Sequence, residues 1–202
     1  MKEFNVVLAG VGGQGTLLAA EILGTAAVND GCNVRVGEIH GMAQRGGAVV
    51  STLRIGEEVA AATVLEGQAD VLLGFEPLET LRNLKYASQK TLVITSVDPI
   101  PPTFLTAKNM KYPSINKIVE KIRLFTKKVI LVEARRMARE AGSSVTQNIV
   151  LLGALAASEK LPFKPERLVE ALRELVPAKH VEINVRAFGL GYDSVKKSEK
   201  RN

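Results

Sequence analysis

Short apolar runs alternate along this chain with longer stretches of helical periodicity. FNVVLAG (4–10) is a short apolar run of the kind found in a strand buried on both faces. Thr16 to about Val28 is apolar nearly all round, with Glu21 its only charge, and predicts a buried helix closed by NDG (29–31). NVRVGEIHG (33–41) sets Val34, Val36 and Ile39 among polar neighbours and predicts a second strand. AVVSTLRIG (48–56) is again strand-like, and the short loop between the two predicts a hairpin or an antiparallel edge pair. DVLLGF (70–75) and TLVITS (91–96) read as buried strands, with Pro77 opening a helix through LETLRNLKYA between them. The segment 98–114 carries four prolines and predicts a loop or an extended wrap over the surface. A basic amphipathic helix over INKIVEKIRLFTKK and a strand over VILVEA follow. Next come a helix over RRMAREAG closed by Gly142, a buried helix over VTQNIVLLGALAASE and an amphipathic one over PERLVEALRELV. A last helix is predicted over VEINVRAFGLGYDSV, against the preference of its two glycines. Strands alternating with helices make this an α/β chain, a Rossmann-like three-layer fold with a mostly parallel sheet.

Composition narrows the classes. A single domain over 1–193 is expected, with 194–202 a basic tail that reads as solvated and disordered. No apolar run approaches the roughly 20 residues that span a bilayer. MKEFNVVLAGVGG lacks the basic start and cleavage site of a signal peptide, so a cytoplasmic protein is expected, with no membrane partner. One cysteine, Cys32, excludes an internal disulfide and any iron–sulfur cluster held by this chain alone. His40 and His180 lie far apart and no H-E-x-x-H occurs, so no metal site is expected. The net charge of +6 is compatible with an anionic ligand or an acidic partner. Nucleic acid is a poor match, because aromatics make up only 4% and interleave with no basic stretch.

Chemistry concentrates in two glycine-rich segments. GVGGQG (10–15) sits between the first strand and the first helix, the place of a nucleotide-binding turn. Gly10 would permit the tight turn, Gly12 would let a phosphate approach the backbone, and Gly15 would let helix and strand pack closely. The helix N-terminus that follows suits an anion. Thr16 and Leu17 stand where a phosphate-loop NTPase needs Lys and Ser/Thr, which excludes that class. A nicotinamide enzyme needs an acid roughly 20 residues on, and Glu38 meets this loosely, so an NAD(P)-dependent oxidoreductase stays open. The spelling also resembles the ATP loop of enzymes that adenylate ubiquitin-like proteins, but their Arg/Asn-rich stretch is missing. A third reading is a non-catalytic assembly module whose glycines serve packing. No nucleophile elbow is present, and Glu76 and Glu79 flank a helix start, where a structural role suits them.

The second segment, GEIHGMAQRGGAVVSTLRIG (37–56), gathers His40, Gln44 and Arg45 around Gly41, Gly46 and Gly47 at a strand end. Gln44 offers a donor and an acceptor, and Arg45 a charged fork suited to phosphate or carboxylate.

GVGGQG, GMAQRGGAV and the later TQNIVLLGAL (146–155) together closely resemble the gamma-type subunit of 2-oxoacid:ferredoxin oxidoreductases. Within that family the unfused form of this length is most similar to the beta subunit of the indolepyruvate branch. The resemblance implies CoA-dependent oxidative decarboxylation of aryl pyruvates to acyl-CoA, with reduction of ferredoxin. It implies a larger alpha subunit that carries thiamine diphosphate, Mg and 4Fe-4S clusters, since this chain has one cysteine and no Gly-Asp-Gly…Asn stretch. The chain is then not active alone, and coenzyme A is the co-substrate. The expected cofactor-binding positions are Gly10, Gly12, Gly13, Gln14, Gly15, Gly46 and Gly47. Arg45 is the candidate anion contact; His40 and Gln44 would orient substrate or cofactor at the subunit boundary.

Overall fold

The computed structural model describes residues 3–40, 46–102 and 111–199. A six-stranded sheet runs in the order β2-β3-β1-β4-β5-β6. Its strands are β1 (Phe4–Val11), β2 (Val34–His40), β3 (Ala48–Ile55), β4 (Val71–Gly74), β5 (Leu92–Ser96) and β6 (Val129–Val132). β1, β4, β5 and β6 are parallel neighbours, as Leu8↔Leu73 and Leu73↔Ile94 show. β3 is antiparallel to both β1 and β2, with Val11↔Ala48 and His40↔Val49 in register. The predicted hairpin is therefore present, and its second strand wedges between the first two.

Alternation along the buried strands sorts side chains to two faces. Val6 and Leu8 of β1, Leu73 of β4 and Ile94 of β5 enter one core. That core is covered by α1 (Thr16–Asn29), α4 (Ala134–Ala141), α5 (Gln147–Ala157), α6 (Pro165–Leu175) and α7 (Val181–Glu199). Val7 and Ala9, Leu72 and Val93 enter the other, under α2 (Pro77–Arg82) and α3 (Ile115–Phe125). Being sandwiched, β1 is buried at all eight positions, which is why its sequence shows no polar face. α5 is buried from Asn148 to Ala157 for the same reason.

Three departures from the sequence expectation have a visible cause in the packing. The helix opened by Pro77 stops at Arg82 and a 3-10 turn, Leu84–Tyr86, follows. There the Asn83 amide donates to the Glu79 carbonyl at 2.8 Å, a side-chain bond that competes with helix propagation. The basic helix α3 ends at Phe125 because Thr126 turns extended and its hydroxyl donates to the Thr91 carbonyl at 2.8 Å. The charged stretch expected as a disordered tail is helical through Glu199, with Val195 buried in the core.

The two glycines of that last helix differ in purpose. A methyl group built at Gly191 would lie 1.9 Å from the Val150 carbonyl oxygen, and one at Gly153 would lie 2.0 Å from the Phe188 carbonyl oxygen. α5 and α7 thus meet backbone to backbone. Gly189 faces open space. Gly191→Ala is expected to lower unfolding stability by about 3 kcal/mol through overpacking, whereas Gly189→Ala gains up to about 1 kcal/mol of helix propensity. Urea denaturation of both variants checks the pair; equal effects would remove the close-contact explanation.

Candidate functional site

The chain leaving β1 enters α1 on one face of the sheet, and the chain leaving β4 enters α2 on the other. The carboxyl ends of these adjacent strands flank the topological switch point, where open α/β sheets take ligands. GVGGQG lies there. Gly13 and Gly15, at φ 96° and 73°, adopt the left-handed conformation. Gly10, the expected turn residue, is instead the penultimate residue of β1. A methyl group there would sit 2.9 Å from Phe75 Cβ, so it is a close-packing position. Gly15 packs against α5 rather than against a strand, since a Cβ would approach Asn148 Nδ2 to 2.5 Å. Asn148 in turn donates to the Gly15 carbonyl at 3.2 Å.

The glutamine within this turn is a strut. Its Oε1 accepts from Val11 N at 2.9 Å, and its Nε2 donates to the Phe75 carbonyl at 2.8 Å. One amide therefore joins the ends of β1 and β4 across the crevice. The second glycine segment is pinned to the first: Gly12 N donates to the Gly47 carbonyl at 2.8 Å, and Gly46 N to the Gly12 carbonyl at 3.3 Å. Thus Gly10, Gly12, Gly13, Gln14, Gly15, Gly46 and Gly47 do come together. His40 closes β2 opposite Val49, two strands from β1. Its side chain, and the whole of Gln44 and Arg45, lie outside the described residues.

Two clefts open on this turn. One of about 330 Å³ is lined by Gly12, Gly13, Gln14, Gly46, Phe75 and Ile100, among others. The second, of about 440 Å³, runs past Gly13, Gly15, Leu18, Asn148, His180 and Asn184. Both include Gly13 and the exposed side chain of Val145. Gly15 caps α1 without a side-chain acceptor, so the helix presents first-turn N–H groups beside the second cleft, an arrangement suited to an anion.

A buried carboxylate holds the far wall. Glu76, 1% exposed, caps α2 by accepting from Glu79 N at 2.9 Å. Its other oxygen accepts from Tyr112 Oη at 2.5 Å and from Ile100 N at 3.2 Å. Both flanks of the proline-rich segment are therefore tied to one oxygen, and Ile100 is held against the glycine turn. Burial, and then the bond to Glu76, pushes the Tyr112 phenol far above its ordinary pKa, so it stays a donor. Glu79 is also buried; its Oε1 pairs with Arg82 at 2.6 Å and its Oε2 has no partner. Burial raises its pKa, with Arg82 opposing. The structural reading of both acids fits these bonds.

Sequence reasoning missed Phe75, Ile100, Tyr112 and Asn148. Their roles follow from where β4, the proline-rich segment and α5 arrive in space, although Asn148 does fall within TQNIVLLGAL. Glu38 lies mid-strand in β2, exposed, opposite Ser51 and two strands from β1. It is not beside the glycine turn, as a ribose-binding acid would be, and the nicotinamide reading loses its acid. Among the described residues no group of three or more His, Cys, Asp or Glu side chains could hold a metal ion. No described helix is long and apolar enough to cross a membrane.

A mixed α/β sheet with a strut-locked glycine turn at its switch point defines the class as a Rossmann-like domain, and residues 5–194 match the family model for pyruvate ferredoxin/flavodoxin oxidoreductase. The chain belongs to that family. It is 46% identical over 199 residues to the indolepyruvate oxidoreductase subunit IorB of Thermococcus kodakarensis, covering 97% of this chain and 98% of that one. The same fold occurs in the gamma subunit of a keto/oxoacid ferredoxin oxidoreductase from Geobacter sulfurreducens PCA (TM-score 0.69, 23% identity, 96% of this chain and 99% of that one). It occurs again within a 2-oxoglutarate:ferredoxin oxidoreductase from Magnetococcus marinus (TM-score 0.69, 19% identity), where 98% of this chain covers 32% of a longer one.

Two outcomes are expected from these contacts. Gln14→Ala leaves Val11 N–H and the Phe75 carbonyl without their partner and should cost about 1–3 kcal/mol, measured by urea denaturation; an unchanged midpoint would mean that water replaces the amide. Glu79 has a folded pKa above its unfolded one, so its favourable contribution is present below the unfolded pKa and lost as pH rises through the folded one. Glu79→Gln keeps the acceptor for Arg82 and should be more stable than the native chain at neutral pH. The gap should close below about pH 4 in a thermal-melt series.

Proposed function

We propose that this chain is the small, beta-type subunit of an indolepyruvate:ferredoxin oxidoreductase. The observation that carries this reading is 46% identity to a subunit of that enzyme across nearly the full length of both chains. The assembled enzyme converts an aryl pyruvate and coenzyme A to acyl-CoA and carbon dioxide, passing two electrons singly to ferredoxin. Thiamine diphosphate, with its Mg, supplies the electron sink for decarboxylation, and iron–sulfur clusters supply the one-electron path. The lone Cys32 and the want of a magnesium diphosphate motif support placing these groups on a larger alpha subunit. Activity then needs both chains.

This chain's own contribution is to receive coenzyme A against the glycine turns. Its phosphates find backbone N–H groups at Gly13 and the first turn of α1, in the cleft that Leu18 and Val145 also line. Arg45 would contribute the charged fork, with His40 and Gln44 orienting substrate or cofactor at the subunit boundary. Gln14 acts indirectly: by joining β1 to β4 it holds the turn in the shape that exposes those N–H groups. The net charge of +6 favours a polyanionic co-substrate.

Anaerobic purification of the tagged chain from its native cells tests the assignment. A large, brown partner with iron–sulfur absorption and indolepyruvate-dependent, CoA-dependent reduction of ferredoxin is expected; a colourless lone chain overturns it. In the assembled enzyme, Arg45→Ala should raise the KM for coenzyme A about tenfold with kcat little changed, as loss of one charge-assisted hydrogen bond requires. A KM within about twofold of the native value takes Arg45 out of that role.

A further inference from the structure

The edge of the sheet opposite the glycine turns, where β5 and β6 begin, carries a cationic patch that the proposed coenzyme A site does not use. Between positions 117 and 128 five cations, Lys117, Lys121, Arg123, Lys127 and Lys128, accompany one carboxylate, Glu120. This short stretch thus holds four of the chain's six net positive charges. α3 turns Ile118, Val119 and Ile122 inward, leaving Lys117, Lys121 and Leu124 along its outer side. Thr126 then staples the turn before β6 to the turn before β5: its hydroxyl donates to the Thr91 carbonyl at 2.8 Å, and Lys128 Nζ reaches the Lys90 carbonyl at 3.5 Å. Lys90 joins the group in this way. Among the described residues none of Lys90, Lys121, Arg123, Lys127 or Lys128 forms an ion pair.

At the centre of this patch two large apolar side chains face solvent, Leu124 at 81% and Phe125 at 47% exposure. A helix dipole accounts for one or two cations in the last turn of α3. It accounts neither for the lysines beyond the helix nor for the exposed leucine and phenylalanine. A small apolar centre ringed by mobile like charges is poor material for a permanent subunit interface, which is larger and apolar through its middle. It matches a weak, electrostatically steered redox encounter, whose partner must be acidic.

We propose that the end of α3, with the turns before β5 and β6, docks a small acidic electron-carrier protein, Leu124 and Phe125 forming the apolar contact and the surrounding lysines and Arg123 the steering rim. The inference rests on the oxidoreductase reading above. Docking here holds the carrier on the assembled enzyme while the larger subunit's clusters reduce it.

The test is the assembled enzyme bearing Lys121→Glu, Lys127→Glu and Lys128→Glu, assayed with ferredoxin from the same cells and, in parallel, with methyl viologen. The expected result is about a tenfold rise in the KM for ferredoxin at low salt, with a flattened salt dependence, and a rate with saturating methyl viologen within twofold of native. Leu124→Ser with Phe125→Ser should raise the same KM while keeping the salt dependence. An unchanged KM for ferredoxin in both variants overturns the proposal. So does loss of the large subunit from the charge-reversed complex, which would make this face a subunit interface. A native complex that reduces neither acceptor would instead overturn the oxidoreductase reading, and the docking site with it.

Discussion

The carboxamide of Gln14 is the contact on which the rest of the site depends. At the switch point, β1 and β4 end with a free N–H at Val11 and a free carbonyl at Phe75, and one side chain satisfies both. Glutamine is suited to this because its amide presents an acceptor and a donor at the end of one flexible stem. With that amide in place, Gly13 and Gly15 take their left-handed conformations, Gly12 turns its N–H and carbonyl to the 46–47 segment, and α1 starts in the orientation that directs its amides at a cleft. The strut also fills the crevice. A dinucleotide lying across β1 and β4 in the usual way would meet the Gln14 side chain, so the space for a ligand shifts toward α5 and toward the proline-rich flank.

Both shifted walls are tied down by specific contacts. On the α5 side, Asn148 is committed to the Gly15 carbonyl, and α5 itself is clamped against α7 by backbone contact at Gly153 and Gly191. On the other side Glu76 collects three donors, one from its own helix and two from the flanks of the proline-rich segment. Buried carboxylates are costly unless their oxygens are occupied, and these are. Asp98 repeats the device nearby: its Oδ2 accepts from Ser96 Oγ at 3.0 Å and from Arg135 N at 2.8 Å, so a residue just beyond β5 caps the start of α4. The carboxyl ends of three adjacent strands are thus bound to the helices and loops above them by side-chain bonds, not by loop backbone alone.

How much of this the amino-acid order discloses depends on the range of the interaction. β1, α1, α5 and α6 were legible because burial on both faces, or on one stripe, leaves its mark within a dozen residues. The 34–55 hairpin was legible as a hairpin, but not the pairing of its second strand, β3, with β1, because that register joins residues more than 35 positions apart. The two glycine segments meet at Gly12, which bonds to both Gly46 and Gly47. The division of labour within them was not legible: Gly10 is a packing residue because Phe75 arrives from β4 and Gln14 Oε1 folds back, each lying 2.9 Å from where a Cβ would sit. Gln14 looked available for a ligand for the same reason, as its partner lies 61 positions away. The helix preference that argued against Gly191 was real but local, and the backbone contact with Val150 outweighs it. Likewise the basic tail read as solvated until Val195 found the core between its charges.

A division of the molecule follows from the sheet itself. Parallel strands put all their carboxyl ends at one edge, where helix N-termini and glycine turns make an anion-accepting surface, and all their amino ends at the other. In this chain the second edge is also positively charged, but through lysine side chains on flexible stems instead of fixed backbone dipoles. The two kinds of positive charge suit different ligands. Fixed N–H groups around a cleft select a phosphate by geometry, because their dipoles are already aimed at it by the backbone. Exposed ammonium groups attract any acidic surface from a distance and weaken as ionic strength rises, which favours rapid capture and release. On the proposed function the two edges would then divide the work of the subunit: one would hold a small anionic substrate still, and the other would meet a partner that has to leave.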